Sequence, residues 1–113
     1  MVGEGKFIDS FRTVSAIVFD NARSHGFWSK GRNKAEMIAL MHSELSEALE
    51  SIRKDFDRPD EHCPSFSNVE IELADCIIRI MDFSHGLGLD VGAAVIEKMA
   101  FNAGRPHLHG KNF

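Results

Sequence analysis

No apolar run in the chain approaches the roughly 20 residues that a bilayer span requires, so no membrane partner is expected. The stretch Met1–Asp9 lacks the basic and apolar regions of a signal peptide, and the expected location is the cytoplasm. Cysteine is scarce. Cys63 and Cys76 are too few for a disulfide framework and form no Cys-x-x-Cys zinc pattern, which leaves them as ordinary thiols of a reducing compartment. An excess of positive charge is also missing. Lys and Arg number 13 against 17 Asp and Glu, a formal net charge of −4, so no broad footprint for duplex nucleic acid is expected and any phosphate must be bound locally. The chain has no Gly-x-x-x-x-Gly-Lys-Ser/Thr, which removes a phosphate-loop enzyme, and no Glu-x-x-His, which removes a di-iron carboxylate bundle.

What is present suits a folded domain: 43% hydrophobic and 27% charged residues. At 113 residues the whole chain, 1–113, reads as one domain with a modest core, and association of subunits is the natural way to enlarge it. No stretch sustains the period-two alternation of a strand, and the fold class is all-α. A first helix from about Lys6 to His25 aligns Phe7, Phe11, Val14 and Val18 on one stripe. A second starts after Asn33 as N-cap, with Glu36 three residues on, and continues to about Lys54. The segment 55–65 holds Pro59 and Pro64 among polar residues and reads as a surface loop. Ser67 with Glu70 forms a capping box for a third helix ending near His85, where Gly86 suits a left-handed C-cap. Asp90 caps a fourth, which Gly104 and Pro106 stop near Ala103.

The helical pattern is broken in particular places. Met37, Met41, Leu45, Ala48 and Ile52 make the apolar face of the second helix, and Glu44 projects within it while Glu47 lies at its edge. A carboxylate among core residues is unfavourable unless paired, protonated or bound to a metal. The third helix is apolar around most of its circumference, which predicts the most buried helix of the four. Its one polar sector carries Glu72, Asp75, Arg79 and Asp82, which on its own is a solvated strip with Arg79 paired to Asp75. On the fourth helix Lys98 and Asn102 interrupt the stripe of Val91, Ala94, Val95 and Met99. Local rules fail at functional sites, and here they fail on two helices with complementary chemistry.

Glu44 with Glu47, and Glu72 with Asp75, each present two carboxylates in one direction. Two such helices face to face form an oxygen cage suited to magnesium, with manganese as an alternative ion. An inward Lys98 and Asn102 beside that cage suggest phosphoryl chemistry by metal-assisted hydrolysis. Phe27 and Trp28, beside Lys30 and Arg32, are candidates to stack a nucleobase, although a Trp between helices also serves as a packing anchor.

Glu44-Leu45-Ser46-Glu47, the stretch 48–71, then Glu72-Leu73-Ala74-Asp75 resembles the Glu-x-x-Glu, variable loop, Glu-x-x-Asp signature of the MazG-like all-α nucleoside triphosphate pyrophosphohydrolases. The ending from Lys98 through Asn102 and Arg105 to His109-Gly110-Lys111 is similar to that of the family's small single-domain members. Ile71 departs from the pattern, since many relatives carry an acidic pair there, and Glu70 lies on the far side of the helix from Glu72. The resemblance implies a four-helix bundle-like subunit assembled as a homodimer or homotetramer. It also implies cleavage of a nucleoside or deoxynucleoside triphosphate to the monophosphate and pyrophosphate. Glu44, Glu47, Glu72 and Asp75 would be the catalytic metal ligands, and Lys98, Asn102 and Arg105 the phosphate-binding residues. Two alternatives stand beside this expectation: a non-catalytic helical module that binds nucleotide or protein, and a structural bundle in which Glu44 and Lys98 form an internal ion pair.

Overall fold

The computed structural model describes residues 3–111, and among them forms four α-helices and no strand. They are α1 (Glu4–Ser24), α2 (Lys34–Asp55), α3 (Asn68–Gly86) and α4 (Val91–Ala103), followed by a 3-10 turn at His107–Gly110. The all-α reading therefore stands, in an arrangement compatible with a four-helix bundle. Of the expected domain 1–113, Met1, Val2, Asn112, Phe113 and the side chain of His109 lie outside the described residues.

The helix starts follow from their caps. Asn33 accepts from the Glu36 amide at 3.0 Å, and Ser67 and Glu70 close both halves of a capping box, at 3.1 and 3.0 Å, satisfying amides that have no partner within the helix. Asp90 accepts from the Ala93 amide and also pairs with Arg12, which fastens the start of α4 to α1. The end of α3 differs from the sequence expectation. The helix runs through Gly86, and the left-handed residue is Gly88, at φ 70°. Gly86 meets another need: a Cβ there would lie 2.3 Å from Cη2 of Trp28, so the indole packs directly on the helix backbone.

α3 packs against both α1 and α2, and α4 against α1. The buried apolar residues are Met37, Met41, Ala48, Val69 and Cys76. On α2 the inward stripe is 37, 41, 44, 48 and 51, at helical spacing, so two of its five positions are polar, Glu44 and Ser51. Leu45 and Ile52, expected on this face, are 46% and 50% exposed, because the contact with α3 is centred one position away from them. Nor is α3 buried all round, since Leu73, Ile77 and Ile78 are exposed. On α4 the stripe containing Lys98 is largely open: Val95 and Met99 are exposed, and the helix rests on Phe11 through the buried Gly92. The radius of gyration, 16.5 Å, exceeds the about 13 Å of a compact domain of this length. Among the described residues no helix is long and apolar enough to cross a membrane.

Gly86→Ala is expected to destabilise the fold by about 2–3 kcal/mol, because a rigid indole cannot yield to the new methyl, and the gain in helix propensity offsets only about 1 kcal/mol of the overpacking. Urea denaturation of the variant checks this.

Candidate active site

Glu44 occupies the centre of the inward stripe of α2, and Glu72 and Asp75 lie one turn apart on α3, which packs against it. Each of the three offers a carboxylate oxygen, and these oxygens lie within 4.8 Å of one another. Glu44 is 8% exposed, and Glu72 and Asp75 are partly buried. Glu47 stands at the exposed rim, close enough to Glu72 for a hydrogen bond. Carboxylates brought this close in a poorly hydrated site repel one another and favour protons or cations. Burial, then hydrogen bonding to Glu47 and Glu44, pushes the Glu72 carboxyl up to about 7, with Asn68 opposing. Asp75 is also raised, first by burial and then by the charge of Glu44, while Arg79 acts in the other direction. Glu72 Oε2 is buried with no hydrogen-bond partner among the described residues.

Arg79 supplies the cluster's cation. Its Nε donates to Glu44 Oε1 at 2.9 Å, so it reaches across to α2 in place of the Asp75 pairing read from the i,i+4 spacing. The partner of Glu44 is thus Arg79 on the neighbouring helix, not Lys98.

Behind Glu72 lies a polar network that the sequence reading missed. Asn68, at the start of α3, donates from Nδ2 to Asp60 Oδ1 at 2.7 Å and to Glu72 Oε1 at 3.3 Å. Its Oδ1 accepts from Ser51 and from Arg58. Asp60 is buried, and its Oδ2 accepts from the amides of His62 and Cys63, both at 2.9 Å. The segment 55–65 is the surface loop the sequence indicates, exposed except at Asp60, and through that one residue it steadies Asn68 and so orients one of the site's carboxylates. The local signal was an Asp able to bond amides two and three residues ahead.

A cavity of about 500 Å³ opens between α1, α2 and α3, with Glu44 and Asp75 in one part of its wall and Phe27, Arg32, Arg79 and Ile17 in another. Phe27 is 63% exposed at this opening. Trp28 is engaged differently. Its Nε1 donates to Asp82 Oδ1 at 2.9 Å and its ring packs on Phe19 at 5.2 Å and on Gly86. Asp82 also accepts from Arg32 at 2.6 Å, and the Arg32 guanidinium lies 5.0 Å from the indole centroid. Trp28 is thus the packing anchor that holds Arg32 at the cavity, and Asp82, which the sequence places on a solvated strip, is 7% exposed.

Lys98, Asn102 and Arg105 lie on α4 and just after it, and none of them lines this cavity. Because α4 docks on α1 through Gly92 and the Asp90–Arg12 pair, one chain does not bring these residues to the carboxylates. Lys98 is exposed and lies 4.4 Å from the Phe101 centroid, and Arg105 lies 5.7 Å from it. Asn102 Oδ1 is buried with no hydrogen-bond partner among the described residues. Comparison with protein-family models, curated proteins and solved structures finds no match to the chain.

The raised Glu72 carboxyl sets a stability profile. Folded protein keeps a proton that the unfolded chain, with a carboxyl near 4.5, releases, so this contribution is full below pH 4.5 and is lost as pH rises through 7. Asp75 acts in the same sense. Asp60, Glu70 and Asp90, held low chiefly by hydrogen bonds from Asn68, Ser67 and Arg12, act in the opposite sense and only at lower pH. Without divalent cations, stability is expected to fall by on the order of 2 kcal/mol between about pH 5 and 7.5, and Glu72→Gln is expected to flatten that fall. Denaturant titrations across this range measure it.

Proposed function

We propose that the protein is a magnesium-dependent nucleoside triphosphate pyrophosphohydrolase that splits the bond between the α and β phosphates, yielding a monophosphate and pyrophosphate. The observation that carries this reading is the convergence of three carboxylates from two helices beside a cavity large enough for a nucleotide. An all-oxygen donor set fits a hard cation, and the unpartnered Glu72 Oε2 is an acceptor available to one. Glu44, Glu72 and Asp75 would hold magnesium, or manganese in its place, with Glu47 joining from the rim. Magnesium bound there would offset phosphate charge and activate a water for attack on the α phosphorus.

The remaining roles belong to the chain's other side chains. Asn68, fixed by Asp60, Ser51 and Arg58, holds the Glu72 carboxylate in register. Phe27 offers an aromatic face to a base, with Ile17 on the same cavity wall. Trp28 acts behind it by fixing Arg32. Lys98, Asn102 and Arg105 would serve the phosphates when α4 of a second copy approaches the cluster. A homodimer or homotetramer is supported by the exposed stripe of Leu45, Leu49 and Ile52 on α2 and Phe56 just after it, which a single chain leaves uncovered. Two free thiols suit a reducing cytoplasm.

A panel of ribo- and deoxyribonucleoside triphosphates is expected to give pyrophosphate with magnesium and none with chelator. Glu44→Gln is expected to lower turnover by on the order of 10²-fold or more. Pyrophosphate release unchanged in Glu44→Gln overturns the reading, and nucleotide binding without turnover identifies a non-catalytic module instead. Light scattering after size exclusion is expected to give two or four times the 12.6 kDa chain mass.

A further inference from the structure

Arg79 stands where no residue of a simple carboxylate cage needs to be. Its guanidinium bonds Glu44, whose side chain is 10% exposed, while its own side chain is 36% exposed. It lines the cavity that Glu44 and Asp75 enter and also a second one of about 430 Å³ beside the first turn of α2, which Arg32, Asn33 and Glu36 help to form. Glu44 accepts from it, Asp75 feels its charge, and Asp82 and Glu36 share its two cavity walls, with Asp82 already engaged by Arg32 and Trp28. An arginine keeps its charge at every physiological pH, so this cation can leave Glu44 only by moving.

We infer that Arg79 is the site's resident counter-ion: it holds Glu44 until a divalent cation arrives, then exchanges that carboxylate for the phosphate oxygens of the nucleotide. The inference rests on the proposed pyrophosphohydrolase reading for the identity of the phosphate ligand. It follows from two physical requirements. A dication sharing Glu44 with a fixed guanidinium suffers like-charge repulsion, so cation and Arg79 compete for the same carboxylate. A guanidinium released at the junction of two cavities presents several N–H donors in a geometry that matches phosphate. Magnesium and nucleotide then bind with mutual assistance, because each removes what opposes the other. Arg79 also accounts for how one chain presents a cation to phosphate when Lys98 lies on α4 and Arg105 just after it, neither in the cavity lining.

The test is calorimetric titration of magnesium alone, and of a non-hydrolysable α,β-methylene nucleoside triphosphate with magnesium, into wild-type protein and Arg79→Gln. The variant is expected to bind magnesium alone about tenfold more tightly and the magnesium–nucleotide complex about tenfold more weakly, within the usual range of coupling between two sites. Arg79→Lys, which retains the charge, is expected to bind magnesium alone as wild type does. A wild-type readout needs no variant: the Arg79 Nε–H resonance, displaced by its bond to Glu44, is expected to move when magnesium is added. Unchanged or weaker magnesium binding in Arg79→Gln, or an Nε–H signal that magnesium leaves in place, overturns the exchange. If wild-type protein releases pyrophosphate while Arg79→Gln binds magnesium no more tightly, the exchange fails and the enzyme reading stands. If the variant binds magnesium more tightly but no nucleotide is hydrolysed, the enzyme reading fails and the competition for Glu44 stands. Absence of magnesium binding in both proteins, with and without the nucleotide analogue, overturns both.

Discussion

Carboxylates placed at a helix–helix contact repel one another, and the fold tolerates Glu44, Glu72 and Asp75 together only because a cation, protons and a donor network offset that repulsion. Arg79 supplies the permanent charge, the raised carboxyl of Glu72 supplies a retained proton, and Asn68 supplies a donor. The rest of the architecture is arranged around that requirement. Ser51, Arg58 and Asp60 fix Asn68, so the connection between α2 and α3 is bound to the site. Trp28 and Arg32, from the segment between α1 and α2, join Asp82 of α3 in a second polar cluster, and it frames the cavity into which Glu44 and Asp75 project. A core of five buried apolar residues does little to offset two polar clusters, and the apolar side chains left exposed on α2, α3 and α4 are where further burial is available.

Elements governed by local rules were legible in the sequence. Asn33, Ser67 with Glu70 and Asp90 cap α2, α3 and α4 where their spacing places them, because capping depends on side chains within three residues of the amides they satisfy. Glu44 was legible for a related reason, as the one carboxylate inside a helical stripe, and it is buried. Gly86 misled because a glycine near a helix end fits two needs. The left-handed turn falls to Gly88, while Gly86 admits an indole from 58 positions earlier in the chain, a contact that no local pattern encodes.

The same distinction separates the parts of the candidate site. The i,i+4 rule pairs Arg79 with Asp75, but the buried and therefore more demanding Glu44 across the helix contact takes it. Asp82 belonged on periodicity to a solvated strip, yet it anchors Trp28 and Arg32 from another element. Lys98 and Asn102 interrupt an apolar stripe of α4 as the sequence indicates, but that stripe does not face the core of its own chain. The pattern records an apolar stripe without recording whether anything covers it. Asp60, in a loop, and Asn68, the first residue of α3, escaped notice because neither has a run of periodic positions before it against which an inward polar residue stands out.

In the proposed enzyme Glu44 is buried for the sake of chemistry and not of stability. Replacing a buried ion pair by apolar residues of similar volume is often neutral or stabilising, whereas removing one member alone is not. The direct measurement is therefore the unfolding free energy of the double variant Glu44→Met with Arg79→Met, alongside its pyrophosphate release. The double variant is expected to be at least as stable as the wild-type protein, with hydrolysis abolished. A double variant less stable than wild type by about 2 kcal/mol or more, which is a large fraction of the stability of a small domain, would contradict this expectation by identifying the pair as structural.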